Sequence, residues 1–551
     1  MKAIFFLSLL FSLLSSSVVA QWTVRPSLDA SRYVLVDALD REVLFRGVNL
    51  CLQQWWLKGE DRPINPDVYE GGACPPNDVN KYMNPPICGV DAGKGKYDQP
   101  TEAGSGNDLA QIRELGFDLV RLGISWSLLE PSPGDISKEY LDRIEQVVRW
   151  GAEQDIAFII DFHTDFYSFS LNGGSGGASY KDGAPAWAVL NNTIDEFPQY
   201  KRTVLDKVGF DWHTVAAFET FYANQKPDDS GDGMGIQEHY IRAFAETVSR
   251  FNEDPAVLGF EIMNEPAPSE LRLLDFSASK LYPFYARVIQ AVTGVRDGMP
   301  TCDESDAVSD DCAFPDLGIN TEKVILFEPM AVRNQLDFSV QRSKVFTEYA
   351  SVVYAPHTYT ESFTIFDPLF GYQQSLDTAW WEATKMKAGL IVTEFGGPTS
   401  SYGLERLGNI TKQQDEALAG STFWTWKERS GGWSMWDGNE GEKDMHQEET
   451  RRKLLSRARP KVVVGGLDSL DYNPEEQTML VVATAAAGEV RGENRDTVIY
   501  VPVDVKTDKI VVGGAVSGDA KVEEMPDGSR LVTVTVASSG GEYKVGIGRD
   551  V

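Results

Sequence analysis

The stretch VLGFEIMNEP (257–266) reads as a short apolar run that closes on a carboxyl, Glu265. A run of four to eight apolar residues fits a strand buried on both faces. A second run, GLIVTEFGG (389–397), ends the same way on Glu394. A carboxyl group at the exit of a buried strand needs a partner or a task, so the two glutamates suggest a catalytic pair.

Six further runs share the character of these two: REVLFRGVNL (41–50), FDLVRLGISW (117–126), IAFIIDFH (156–163), KVILFEP (323–329), SVVYAPHTY (351–359) and STFWTWK (421–427). Segments with apolar residues at three- and four-residue spacing lie between them, as in YLDRIEQVVRWGAEQ (140–154) and EHYIRAFAETVSRF (238–251). Alternating apolar strands and helices imply a parallel sheet covered on both faces, and eight such units predict an α/β fold of the closed (β/α)8 or TIM-barrel type. In such a barrel the fourth and seventh strands face each other across the C-terminal mouth, so Glu265 and Glu394 can reach one ligand.

The segment 164–256 is too long for a plain connection. It holds the glycine-rich NGGSGGASYKDG (172–183) and the acidic PDDSGDGMG (227–235), and is expected to form a lid or substrate-binding subdomain, with a surface decoration as the plainer alternative. From RARPKVVVGG (457–466) onward the chain turns to short β-rich runs broken by Gly, Asn and Asp, the pattern of an antiparallel β-sandwich with a structural or substrate-orienting role. The expected domains are a signal peptide at 1–20, a catalytic barrel at 21–455 and a sandwich at 456–551.

With 551 residues, 42% of them hydrophobic, the chain can bury a large core beside a smaller one. Residues 1–20, MKAIFFLSLLFSLLSSSVVA, combine a lysine, a short apolar run and small residues before Gln21, which predicts a secretory signal and a secreted protein. No later stretch is long and apolar enough for a transmembrane segment. Cys74 with Cys88 and Cys302 with Cys312 bracket loop-like segments and are expected as disulfides, leaving Cys51 free. Asn191 and Asn409 stand in glycan-acceptor triplets. A net charge of −31 argues against nucleic acid and anionic membrane surfaces as partners. The scattered His and Cys residues predict no metal site, and no cofactor is expected. There is no G-x-S-x-G elbow, P-loop or H-E-x-x-H helix.

Paired carboxyls facing one ligand suit glycoside hydrolysis, in which one carboxylic acid protonates the departing oxygen and a second carboxylate attacks the anomeric carbon. The ordered set VRLGISW, FHTDFYS, IMNEP, APHTY, VTEFG and FWTWK, over about 40–430, resembles glycoside hydrolase family 5. That resemblance implies a retaining mechanism with Glu265 as general acid/base and Glu394 as nucleophile. It also implies supporting substrate-binding roles for Arg121, His163, Asn264, His357, Tyr359 and Trp424. In these roles Asn264 holds the sugar 2-hydroxyl, His357 and Tyr359 position the carboxylates, and Trp424 forms a stacking floor.

The string IIDFHTDFYS, the glycine-rich loop after it, the NEP tripeptide and the RARPKVVVGG entry into the sandwich are similar to the endoglycoceramidases. These enzymes cut between an oligosaccharide and ceramide. By that resemblance Lys58 and Asp165 bind the sugar beside the cleaved bond, and the partner is a glycosphingolipid met by a monomer in peripheral contact with lipid assemblies. Phe162 and Thr164 around His163, and the cysteines of the 60–106 loop, depart from the bacterial members. The alternatives are a family 5 β-glucanase or β-glucosidase, including one acting on steryl glucosides or simple glucosylceramide, and an inactive carbohydrate- or lipid-binding barrel.

Glu261 and Asp161 have a plainer reading as buried partners of a residue such as Arg121. The aromatic pairs Trp55-Trp56, Phe166-Tyr167, Trp380-Trp381 and Trp433/Trp436 divide between packing and platforms for sugar or lipid.

Overall fold

The computed structural model describes residues 22–51, 108–164, 167–168, 183–190, 212–227, 231–268, 275–296, 314–336, 343–359, 372–426, 435–437, 446–447, 449–488, 490, 492 and 495–551. The export-signal pattern, Lys58, Asp165, Cys74, Cys88, Cys302, Cys312 and Asn191 lie outside the described residues.

Eight parallel strands close into a barrel: β1 (Arg46–Cys51), β2 (Leu119–Ile124), β3 (Ala157–Phe162), β4 (Val257–Glu261), β5 (Val324–Phe327), β6 (Val352–Tyr354, resuming at His357–Thr358), β7 (Gly389–Phe395) and β8 (Gly420–Phe423). Each pairs with its neighbour in chain order, and β8 returns to β1 with Ser421 beside Arg46 and Phe423 beside Val48. This is the (β/α)8 TIM barrel expected from the eight runs.

The runs form strands because both of their faces are covered. Every residue of β2, β3 and β7 is buried. Leu119, Ile159, Leu326, Val353 and Ile391 pack as one apolar cluster, joined at the N-terminal end by Val24, Leu35 and Phe45. Alternate residues, such as Val120, Ile160 and Val392, pack in the large core that also holds helix residues.

Two glycines let neighbouring strands approach closely. A Cβ on Gly47 of β1 or Gly259 of β4 would lie 2.1 Å from the carbonyl oxygen of Leu119 or Val324, nearer than any side chain allows.

The outer helices follow the predicted periodicity. In Lys138–Ala152, Ser137 caps the amide of Tyr140 at 3.2 Å, and Tyr140, Leu141, Ile144, Val147 and Val148 form the buried face. Helices at Trp212–Tyr222 and Ile236–Phe251 account for part of the long 164–256 segment. Trp380 and Trp381 lie on the helix Tyr372–Met386. Trp380 donates its indole N–H to the Ala417 carbonyl at 2.8 Å, while Trp381 is 54% exposed. Asn409 is exposed on the helix Ser401–Glu416.

The sandwich is built from both ends of the chain. One seven-stranded sheet runs in the order 23–26, 33–36, 42–43, 459–463, 496–501, 530–535, 521–524, and a four-stranded sheet runs 466–473, 478–485, 541–547, 510–514. The run 41–50 is therefore divided, with Glu42–Val43 in the sandwich and Arg46–Cys51 in the barrel. Buried ion pairs join the two units: Arg459 Nη2 lies 2.7 Å from Asp118 Oδ2, and Asp415 is shared by Arg46 and Arg457.

Candidate active site

The register of the barrel places its inward polar residues in one layer. Asn49 of β1 stands beside Arg121 of β2, Asp161 of β3 beside Glu261 of β4, and His357 of β6 beside Glu394 of β7. A register shift between Val392 and Phe395 interrupts the β7–β8 pairing. Irregularities of this kind re-aim side chains next to functional sites, and both Thr393 and Glu394 bond to groups of the polar layer. Thr393 Oγ1 donates to Glu261 Oε1 at 3.2 Å.

Arg121 is the centre of the layer and is fully buried. Its Nε donates to Glu261 Oε2 at 2.7 Å, and its Nη1 donates to Glu394 Oε1 at 2.7 Å and to Asn49 Oδ1 at 3.1 Å. Nη2 donates to Asn264 Oδ1 at 2.9 Å and to Glu328 Oε1 at 3.1 Å, and lies 3.1 Å from Asp161 Oδ2. Burial alone would weaken its hold on the proton, but Asp161, Glu261, Glu394 and Glu328 together hold it well above the ordinary arginine value. The cation these carboxylates surround is this guanidinium. Glu261 and Asp161 are thus buried partners of Arg121, in line with their plainer reading.

Glu394 and Glu265 have different surroundings. Glu394 is 5% exposed, and its two oxygens are fixed separately, Oε1 by Arg121 and Oε2 by the Tyr359 hydroxyl at 2.8 Å. Burial pushes its carboxyl above the ordinary value, opposed by His357, Arg121 and His163. Burial likewise keeps the Tyr359 phenol protonated, so it donates.

Glu265 lies beyond the end of β4, with φ at +41° and its side chain 31% exposed. His357 Nδ1 approaches its Oε1 at 2.9 Å, and Asn334 Nδ2 donates to the same oxygen at 3.3 Å. One carboxylate oxygen of Glu265 and one of Glu394 lie within 4.8 Å of each other, with a nitrogen of His357 in the same group.

The remaining predicted residues complete the mouth. His163 Nδ1 sits 2.7 Å from Asp161 Oδ2, and its ring stacks on Trp424 with centroids 5.3 Å apart and planes 14° from parallel. The Trp424–Thr425 peptide is cis. Asn264 is held between Arg121 and the Thr164 carbonyl, to which its Nδ2 donates at 2.9 Å. The structure therefore gathers Arg121, His163, Asn264, Glu265, His357, Tyr359, Glu394 and Trp424 at one end of the barrel.

Three contributors have no role in the sequence reading: Asn49, Asn334 and Glu328. Glu328 had a legible signal, since KVILFEP (323–329) is another apolar run that closes on a carboxyl. The two asparagines stand in no pattern that marks them.

Residues 94–297 match the Cellulase family (glycosyl hydrolase family 5). Among curated proteins, the chain is 26% identical to a glucosylceramidase of Rhizopus delemar over 258 residues, covering 43% of this chain and 35% of that one. It is 25% identical to endoglycoceramidase I of Rhodococcus hoagii over 336 residues, covering 58% and 59%. The chain thus spans less than two thirds of the length of each of these two relatives. Among solved structures it resembles an endogalactoceramidase, with a TM-score of 0.68 and 20% identity over 96% of this chain and 99% of that one. That likeness in fold spans both the barrel and the sandwich.

Proposed function

We propose that this protein is a retaining β-glycosidase that releases intact oligosaccharide from the ceramide of glycosphingolipids. The observation that carries the proposal is the approach of the Glu265 and Glu394 carboxylates to within 4.8 Å in one polar mouth. Retaining enzymes hold their two carboxyl groups about 5–5.5 Å apart, whereas inverting ones leave about 6.5–9.5 Å for a water.

In this reading Glu394 attacks the anomeric carbon while Glu265 protonates the departing oxygen. Arg121 and Tyr359 each hold one oxygen of Glu394, which fixes the direction of attack. Glu265 is the more exposed of the pair, as suits a group that meets first the leaving group and then water. Asn264 lies beside the acid to meet the sugar, and the stacked His163–Trp424 pair offers it an apolar floor. The names of the curated relatives support a glycolipid substrate, and the pattern of residues 1–20 supports secretion.

The glucosylceramidase of Rhizopus delemar favours a second reading, in which a single glucose is removed from glucosylceramide. Incubation with a ganglioside, with glucosylceramide and with a soluble β-glucan separates these readings. Intact oligosaccharide plus ceramide from the ganglioside is the expected result. Turnover of glucosylceramide or glucan alone would refute the substrate, and no hydrolysis of any β-glycoside would leave a binding barrel without activity.

A further inference from the structure

Glu328, just past the end of β5, is fully buried and touches three parts of the site at once. Its Oε1 lies 3.1 Å from both Arg121 Nη2 and His357 Nε2, and its Oε2 accepts the backbone N–H of Glu265 at 3.0 Å. We propose that Glu328 is a positioning residue for the general acid: it fixes His357 as an imidazolium and pins the backbone of Glu265, so that the acid's carboxyl is held toward the scissile bond. This inference rests on the assignment of Glu265 made above.

Arg121 does not require Glu328 as a counterion. Asp161, Glu261 and Glu394 already outnumber the single guanidinium charge, so a fourth carboxylate adds surplus negative charge that calls for a cation elsewhere. The imidazole of His357 lies where that cation is needed. Glu265 faces its Nδ1 at 2.9 Å, Glu394 Oε2 lies 3.5 Å from the same nitrogen, and Glu328 faces Nε2.

Among the described residues, the other neighbours of His357 are neutral or already paired: Glu261, with a carboxylate oxygen within 4.8 Å of a ring nitrogen, is bound to Arg121. Asn334 accepts its backbone N–H, and the Tyr359 ring stands edge-on at 6.3 Å. A neutral imidazole carries one N–H and one lone pair, so with both carboxyls ionised either tautomer sets an unprotonated nitrogen beside a negative charge, whereas the imidazolium sets a positive charge between the two. The proton affinity of His357 agrees: burial alone would lower it, but Glu328 and Glu394 hold it well above the ordinary histidine value.

The backbone contact has its own purpose. A glutamate at φ +41° occupies the left-handed region, which residues other than glycine adopt at a cost. The hydrogen bond from the Glu265 amide to a carboxylate is of the stronger, charge-assisted kind, and holds that conformation. With Oε1 of Glu265 engaged by His357 and Asn334, Oε2 is left to carry the proton delivered to the leaving group.

Glu328→Gln tests the proposal, because glutamine keeps an acceptor oxygen but removes the charge. In 15N-histidine-labelled wild-type protein, with five histidines to assign, His357 is expected to carry both ring protons at neutral pH. In E328Q it is expected to titrate at least about one pH unit lower. The variant should lose roughly 10- to 100-fold in kcat/KM on glycosides with poor leaving groups and much less on activated aryl glycosides. A neutral His357 in the wild-type protein, or equal losses on both substrates with His357 still protonated, overturns the proposal. If E328Q fails to fold, the wild-type titration decides it. If the wild-type protein hydrolyses no glycoside, the catalytic reading falls, while the titration still decides the Glu328–His357 arrangement.

Discussion

Arg121 is the residue on which the candidate site depends: every donor of its guanidinium faces an acceptor, and four of those acceptors are carboxylates. Removing it would leave several buried negative charges with no fixed cation, so its first effect would be on folding. The chemistry is better separated at Glu265. Glu265→Ala is predicted to slow glycosides with poor leaving groups by about 10²–10⁴-fold while sparing activated aryl glycosides, since only the former need a proton. Leaving-group-dependent kcat/KM measures this, and equal losses on both would remove Glu265 from the acid's role. His163, Asn264, His357 and Tyr359 were legible because they stand at or near the ends of strand-like runs, in the ordered set of motifs that resembles family 5. Asn49 and Asn334 were not legible, because their importance comes from register and from a short helix packed beside the mouth, and neither leaves a periodic signal.

At the scale of elements, the barrel was legible because strands covered on both faces read as nearly continuous apolar runs, and eight of them recur along the chain. Their ends were less legible. The stretch that continues past β4 keeps its apolar character through Ile262 and Met263, both buried, so composition cannot mark where strand pairing stops. The sheet shared by both chain ends was hidden for a different reason: Thr23–Pro26 and Tyr33–Val36 are only four residues each, too short for periodicity to separate them from loop. Close strand contact also makes a prediction here. Gly259→Ala in β4 forces a methyl group against the Val324 carbonyl, and should cost roughly 1–3 kcal/mol or more, because backbone cannot yield as a side chain can. Denaturant unfolding measures the loss; an unchanged midpoint would mean that β4 and β5 can move apart freely.

Over the whole molecule, the buried titratable groups bias stability toward mildly acidic conditions. His357 and His239 hold their protons above the ordinary histidine value of 6.5: burial opposes this, while Glu328 and Glu394 around His357, and Glu130 beside His239, favour it. Their contribution is complete below about pH 6.5 and is lost as pH rises through the raised values. Burial lifts Glu328 and Glu394 above 4.5, so the folded state also retains protons there that the unfolded chain releases, and stability again falls with rising pH. Asp118 acts in the opposite sense: burial raises its carboxyl, but Arg459 and Lys461 bring it below 3.8, and its contribution is lost only in stronger acid. With a net charge of −31 adding self-repulsion as pH rises, Tm is predicted to be a few degrees higher near pH 5 than near pH 8. A Tm that rises across that range in calorimetry would contradict this balance. A double displacement through Glu394 passes through a covalent glycosyl intermediate, which can be trapped. After reaction with an activated 2-deoxy-2-fluoro-β-glycoside, peptide mass spectrometry is predicted to find the sugar bonded to Glu394. An adduct on another carboxylate, or turnover of an unmodified glycoside with inverted anomeric configuration, would contradict it.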